Sequence, residues 1–186
     1  MPAIDDKETA VVTTWANALS AVRLLIALPC AYAIWTGAWP TAAVLFVIAV
    51  ATDVSDGIVA RRRGEVSAFG GLLDHSIDAL FVTVNLAALA ATGLITPLLA
   101  PLAIASFSQY VWDSKALSGA PLRASVLGRW NGIGYYVIVG TGTLQHALGA
   151  TWLPSTLVAV GAWLLTFSTV ISMADRAYAL WKIRKG

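Results

Sequence analysis

Four aspartates, Asp53, Asp56, Asp74 and Asp78, fall within 26 residues, in the stretch DVSDGIVARRRGEVSAFGGLLDHSID. Long apolar runs flank this stretch on both sides. A carboxylate in or beside hydrocarbon is costly, so intramembrane acids point to function. Four of them would carry a charge of about −4, which a low-dielectric site holds only with cations present. Clustered oxygen ligands suit hard divalent ions, Mg²⁺ or Mn²⁺. A pair of such ions would clamp charge during displacement at phosphorus. A carboxylate at the edge of the cluster could accept the proton of an attacking hydroxyl.

Two elements must position these side chains. Asp53 and Asp56 are three apart, and Asp74 and Asp78 four apart, so each pair shares one helix face. Gly57 and Ala60 keep the first face thin. The basic segment Arg61–Arg62–Arg63 and the glycines Gly70–Gly71 mark a loop between the two helices. From Arg61 back to Asp53, and from Gly70 on to Asp78, the rise is about 12 Å each. Antiparallel neighbours would then hold Asp53 level with Asp78, and Asp56 level with Asp74.

The full pattern D-x2-D-G-x2-A-R-x8-G-x3-D-x3-D is met by Asp53, Asp56, Gly57, Ala60, Arg61, Gly70, Asp74 and Asp78. It resembles the signature of the CDP-alcohol phosphotransferase (CDP-alcohol phosphatidyltransferase) family, class I. The resemblance implies one membrane domain over residues 1–186, with its signature at 53–78. It also implies transfer of a phosphatidyl group from CDP-diacylglycerol, or another CDP-alcohol, to a small alcohol with release of CMP. The four aspartates would then bind two divalent cations, and Asp78 would double as the base. Gly57, Ala60, Arg61 and Gly70 would receive the CDP moiety. A homodimer is implied as well.

The acceptor is read from the next polar connection. Lys115, Arg123 and Arg129 lie there, and Leu127–Asn131 is similar to a basic stretch in some phosphatidylglycerophosphate synthases. Arginines suit a phosphorylated acceptor, and glycerol 3-phosphate is the first expectation. Positive-inside topology accounts for the same charges equally well. Asp74-His75-Ser76-Ile77-Asp78 is closer to the choline and ethanolamine phosphotransferases, so aminoalcohol, serine and inositol-phosphate types stay open. His75 could touch phosphate or an acceptor hydroxyl, or only solvate its helix start. A reading from another class is a divalent-cation or proton transporter using the same acids. It leaves Gly57, Ala60, Arg61 and Gly70 without a role.

Composition fits this setting. Of 186 residues 58% are hydrophobic and 12% charged, with a mean hydropathy of +0.75. Soluble domains are nearer half apolar and a quarter charged. The expected fold is an all-α integral membrane protein with six transmembrane helices, over about 17–38, 40–61, 70–91, 101–112, 130–148 and 153–173. Residues 1–16 suit a short interfacial helix, the expectation for this segment, or a frayed tail. Asn17 suits a helix cap, and Pro29 a kink. Asn17, Ser20 and Arg23 recur at helical spacing, so Arg23 either snorkels to the interface or points inward at a phosphate. The single cysteine, Cys30, excludes an intrachain disulfide. An acidic start (Asp5, Asp6, Glu8) does not resemble a cleavable signal.

Lys and Arg fall only in the amino-terminal part, at 61–63, at 113–129 and after Met173. Basic loops stay cytoplasmic, which puts both termini and the acids on the cytoplasmic side of the inner membrane. Seven of eight tryptophans fall near expected span ends; Trp163 is expected in a helix interface. His146 is expected exposed in an outer connection. Asp113 and Asp175 are expected to pair with nearby bases. No nucleic-acid partner is expected.

Overall fold

A computed structural model describes residues 15–63, 68–113, 125–150 and 154–185. The side chains of 15–17, 56–57, 59–63, 68–69 and 183–184 lie outside that description. Among the described residues six helices follow one another: α1 (Trp15–Trp35), α2 (Trp39–Arg63), α3 (Ala68–Ala91), α4 (Leu99–Asp113), α5 (Val126–Ala147) and α6 (Ser155–Lys185). No strand occurs among the described residues. Among the described residues three stretches are long and apolar enough to cross a membrane: Ala18–Trp35, Gly70–Ala91 and Ser155–Lys182. On α2 the described apolar stretch, Trp39–Ser55, is shorter.

Each of the first three helices buries a narrow stripe, and each stripe changes from apolar to polar at the same end. On α1 the buried Ser20, Arg23, Ala27, Cys30 and Ile34, at alternating three- and four-residue steps, form a seam with Ala33 beside it. On α2 they are Ala42, Phe46 and Ala49, and Asp53 follows four residues on. On α3, Asp74 and Asp78 precede Phe81 and Asn85 on one face. Small residues on α1 and α2 let three backbones approach closely, as membrane helices favour. The opposite side of α1 exposes Leu25, Leu28 and Tyr32. Such a face suits lipid rather than water.

The connection between α1 and α2 is short enough to force antiparallel packing. It is closed by Gly37, whose φ of +74° lies in the left-handed region. There Gly37 N–H donates to Ile34 O at 3.1 Å and Ala38 N–H to Ala33 O at 2.8 Å, satisfying the last carbonyls of α1. Gly93 and Gly149 end α3 and α5 in the same way.

The second half of the molecule packs α5 across α2, α3 and α6, and α4 across α3 and α6. Phe46, Phe81 and Tyr136 form an aromatic cluster at the α2–α3–α5 junction, Phe81 and Tyr136 stacked at 6.0 Å. Polar contacts join α6 to its neighbours. Tyr135 and Thr169 hydroxyls share a 2.7 Å hydrogen bond, Ser168 Oγ donates to Asn131 Oδ1 at 2.6 Å, and Gln109 Nε2 donates to Met173 O at 3.0 Å.

Several local expectations are corrected. Arg61–Arg63 continue α2, and Gly70–Gly71 lie inside α3, so neither marks a loop; residues 64–67 lie outside the described residues. Of the amino-terminal segment, residues 1–14 also lie outside them, while 15–16 open α1 and leave Asn17 inside the helix rather than capping it. Helix α5 starts at Val126, not Trp130, because Ser125 caps it, accepting from Gly128 N–H at 3.0 Å. Helix α6 runs to Lys185 rather than ending near Met173, since ADRAYALWKIRK contains neither Gly nor Pro. Trp163 is exposed. His146 is half-buried at the end of α5, stacked on Trp39 at 4.4 Å, with Nδ1 2.8 Å from Gly142 O. Cys30 is buried, its thiol donating to Ala42 O at 3.6 Å.

Candidate active site

The polar ends of the α1, α2 and α3 stripes meet. Asp53, Asp74 and Asp78 each offer a carboxylate oxygen, and these oxygens all lie within 4.8 Å of one another. The acids keep 25–37% of their side-chain surface open. Arg23 stands among them with no exposed side-chain surface. Its Nη1 lies 3.0 Å from Asp53 Oδ1 and 3.2 Å from Asp74 Oδ1, and also contacts Asp78 Oδ1. Ser20, one turn earlier on α1, donates its Oγ hydrogen to Asp74 Oδ1 at 3.1 Å. Tyr136, from α5, donates to Asp78 Oδ1 at 3.0 Å.

Arg23 therefore points inward, where it meets the carboxylates. Snorkelling is excluded by its burial. The guanidinium marks the place where the acids demand positive charge. Three convergent oxygens around one buried positive nitrogen fit a hard divalent cation, whose oxygen ligands lie about 2.0–2.6 Å from the ion. The side chain of Asp56 is outside the described residues. Its backbone continues α2 without a break.

Beside the acids opens a cavity of about 580 Å³, within the range of small-molecule sites. Asp53, Asp78, His75 and Gly71 line it from α2 and α3. Tyr110 on α4, Arg129, Gly132 and Tyr136 on α5, and Arg176 on α6 complete it. His75 is half exposed; its Nδ1 is 2.9 Å from Gly71 O and 4.0 Å from Asp74 Oδ2. A proton on Nδ1 would leave Nε2 as the group free to meet a ligand. Arg176 lies over the Tyr110 ring at 4.9 Å, with Nε 3.6 Å from Asp113 Oδ2. The Asp113 pairing expected from sequence is thus present.

Of the expected acceptor residues, His75 and Arg129 line the cavity, Arg129 from the first turn of α5 rather than from a loop. Lys115 and Arg123 lie outside the described residues. Of the positions expected to receive CDP, Gly70 lies at the start of α3, and Gly57, Ala60 and Arg61 lie on α2 with side chains outside the description. Sequence reasoning missed Arg176, Tyr110 and Tyr136. Arg176 carried a signal: it follows Thr166, Thr169 and Ser172 at three- and four-residue steps, so it prolongs the buried polar stripe of α6.

The model of the CDP-alcohol phosphatidyltransferase family matches residues 13–174. The chain belongs to that family. Members use divalent metals and CDP-linked alcohols, which agrees with the acidic cluster. Membership and the apolar helices make the chain a membrane protein. Among curated proteins, the archaetidylinositol phosphate synthase of Methanothermobacter thermautotrophicus (strain Delta H) is 43% identical over 68 residues. That match covers 35% of this chain and 35% of the relative, about a third of its length. No solved structure matches the chain.

Proposed function

We propose that this CDP-alcohol phosphatidyltransferase transfers a lipid-bearing phosphoryl group from a CDP-linked lipid, such as CDP-diacylglycerol, to a phosphorylated polyol, releasing CMP. One observation carries the reading: carboxylates and arginines line the same cavity, the acids on α2 and α3, and Arg129 and Arg176 on α5 and α6. Acids suit a cation-bound diphosphate. Arginines suit a phosphate on the acceptor. Inositol phosphate is favoured over glycerol 3-phosphate, because the curated relative is named an archaetidylinositol phosphate synthase and nothing supports glycerol 3-phosphate.

Asp53, Asp56, Asp74 and Asp78 would hold two divalent ions, Mg²⁺ or Mn²⁺. Bound there, the ions would supply charge neutralisation at the diphosphate and its leaving group. Gly57, Ala60, Arg61 and Gly70 would leave room for, and steady, the CDP moiety. Arg129 and Arg176 would grip the acceptor phosphate, with His75 Nε2 near an acceptor hydroxyl. Asp78 would take the proton as that hydroxyl's oxygen forms its bond to the lipid-bearing phosphorus and the bond from that phosphorus to CMP breaks. Tyr136 holds Asp78 Oδ1, which steadies the carboxylate for that transfer. The distribution of Lys and Arg supports a cytoplasmic site and cytoplasmic termini. A homodimer belongs to the same proposal.

The test is CMP release by the purified chain with CDP-diacylglycerol, Mg²⁺ or Mn²⁺, and a panel of inositol phosphate, glycerol 3-phosphate, inositol, serine and ethanolamine. Inositol phosphate is expected to give the highest kcat/KM. Equal rates with inositol and its phosphate would remove the anionic-acceptor reading. No CMP with any acceptor would favour the cation transporter.

A further inference from the structure

The acidic cluster already contains a cation. Arg23 is fully buried, and one of its nitrogens, Nη1, meets oxygens of three acids on two helices: Asp53 of α2, and Asp74 and Asp78 of α3. A guanidinium does not lose its proton in a protein, so this charge is permanent. Arg23 belongs to the buried seam of α1 with Ser20 and Ala27, and Ser20 holds the same Oδ1 of Asp74. An ion coordinated by these oxygens must come within about 2.0–2.6 Å of each. That position overlaps or abuts Nη1. The two positive groups compete for one place.

We propose that Arg23 is the resident counter-cation of this cluster, and that a divalent ion binds by displacing its Nη1 from the carboxylates. This rests on reading the cluster as a metal site. Two consequences follow. Without metal, Arg23 keeps mutually repelling acids together in a low-dielectric setting. With metal, the ion must outbid a tethered guanidinium, which a monovalent ion does poorly because its attraction to the acids is half that of a divalent ion. Arg23 therefore sets the metal affinity and favours divalent over monovalent ions. It is a positioning residue, acting on substrate only through the acids.

The experiment titrates Mn²⁺ into the full chain in detergent, following free Mn²⁺ by electron paramagnetic resonance, and records melting with and without Mn²⁺. Wild type is compared with Arg23→Met and Arg23→Lys. Arg23→Met is expected to bind Mn²⁺ at least tenfold tighter than wild type, to melt lower without metal, and to recover more on adding Mn²⁺. Arg23→Lys, whose single ammonium reaches fewer oxygens, is expected between the two; this variant decides if Arg23→Met does not fold. Unchanged or weaker Mn²⁺ affinity in the variant overturns the proposal while leaving the metal site standing. A wild type that binds no Mn²⁺ overturns both.

Discussion

Replacing Arg176 by methionine separates a ligand-binding role from a scaffolding one. The guanidinium lies 3.6 Å from Asp113 and 4.9 Å above Tyr110, while lining the cavity. Its side chain is 14% exposed and that of Asp113 10%. At 3.6 Å and an effective dielectric near 20, the gross attraction is about 4.6 kcal/mol. Desolvation offsets much of it, so stranding Asp113 is expected to cost about 2–3 kcal/mol of stability, at the low end for a buried pair. The ligand role is separate: a charge-assisted hydrogen bond to phosphate contributes about 1.5–3 kcal/mol. Losing it raises the acceptor KM about 10- to 150-fold. The control is Asp113→Asn, which breaks the ion pair and leaves the guanidinium in place. Steady-state CMP release should show the KM for inositol phosphate rising in Arg176→Met and nearly unchanged in Asp113→Asn, though both melt lower. If Asp113→Asn raises that KM as far as Arg176→Met does, Arg176 serves the fold and the acceptor assignment fails.

Two further outcomes bear on the same cavity. Asp78→Asn keeps the shape of the side chain but cannot take a proton; kcat should fall about 100- to 10,000-fold while Mn²⁺ still binds, and a kcat near wild type would move the base elsewhere. At Gly132 an added Cβ meets nothing within 4 Å, and Gly-to-Ala in a helix adds about 1 kcal/mol of stability. Gly132→Ala should therefore melt no lower than wild type yet raise the acceptor KM, because the methyl enters the cavity; a lower melting temperature with unaltered KM would show that this glycine serves packing.

Much of the architecture was legible because apolar length and helical spacing are local properties. The α2–α3 acids at three- and four-residue steps, the six helices and the signature itself need no tertiary contact to be read. Boundaries were less legible where capping decided them. Ser125 starts α5 a turn early, and that moves Arg129 from a connection onto the helix lining the cavity. His146 illustrates the opposite error: an uncharged stretch looked like an exposed connection, but Trp39 from another helix covers its ring.

Sequence alone determined which residues could bind cations, since carboxylates three and four apart on continuous helices must share a face whatever surrounds them. It also determined that those helices belong in or beside hydrocarbon. Tertiary structure alone decided where Arg23 points and that Arg176 closes the cavity. A charged side chain near a helix end can reach lipid headgroups, water or a buried acid at similar cost to its own backbone. Only the packing of α1 against α2 and α3, and of α6 against α4, removes the first two choices and leaves the third.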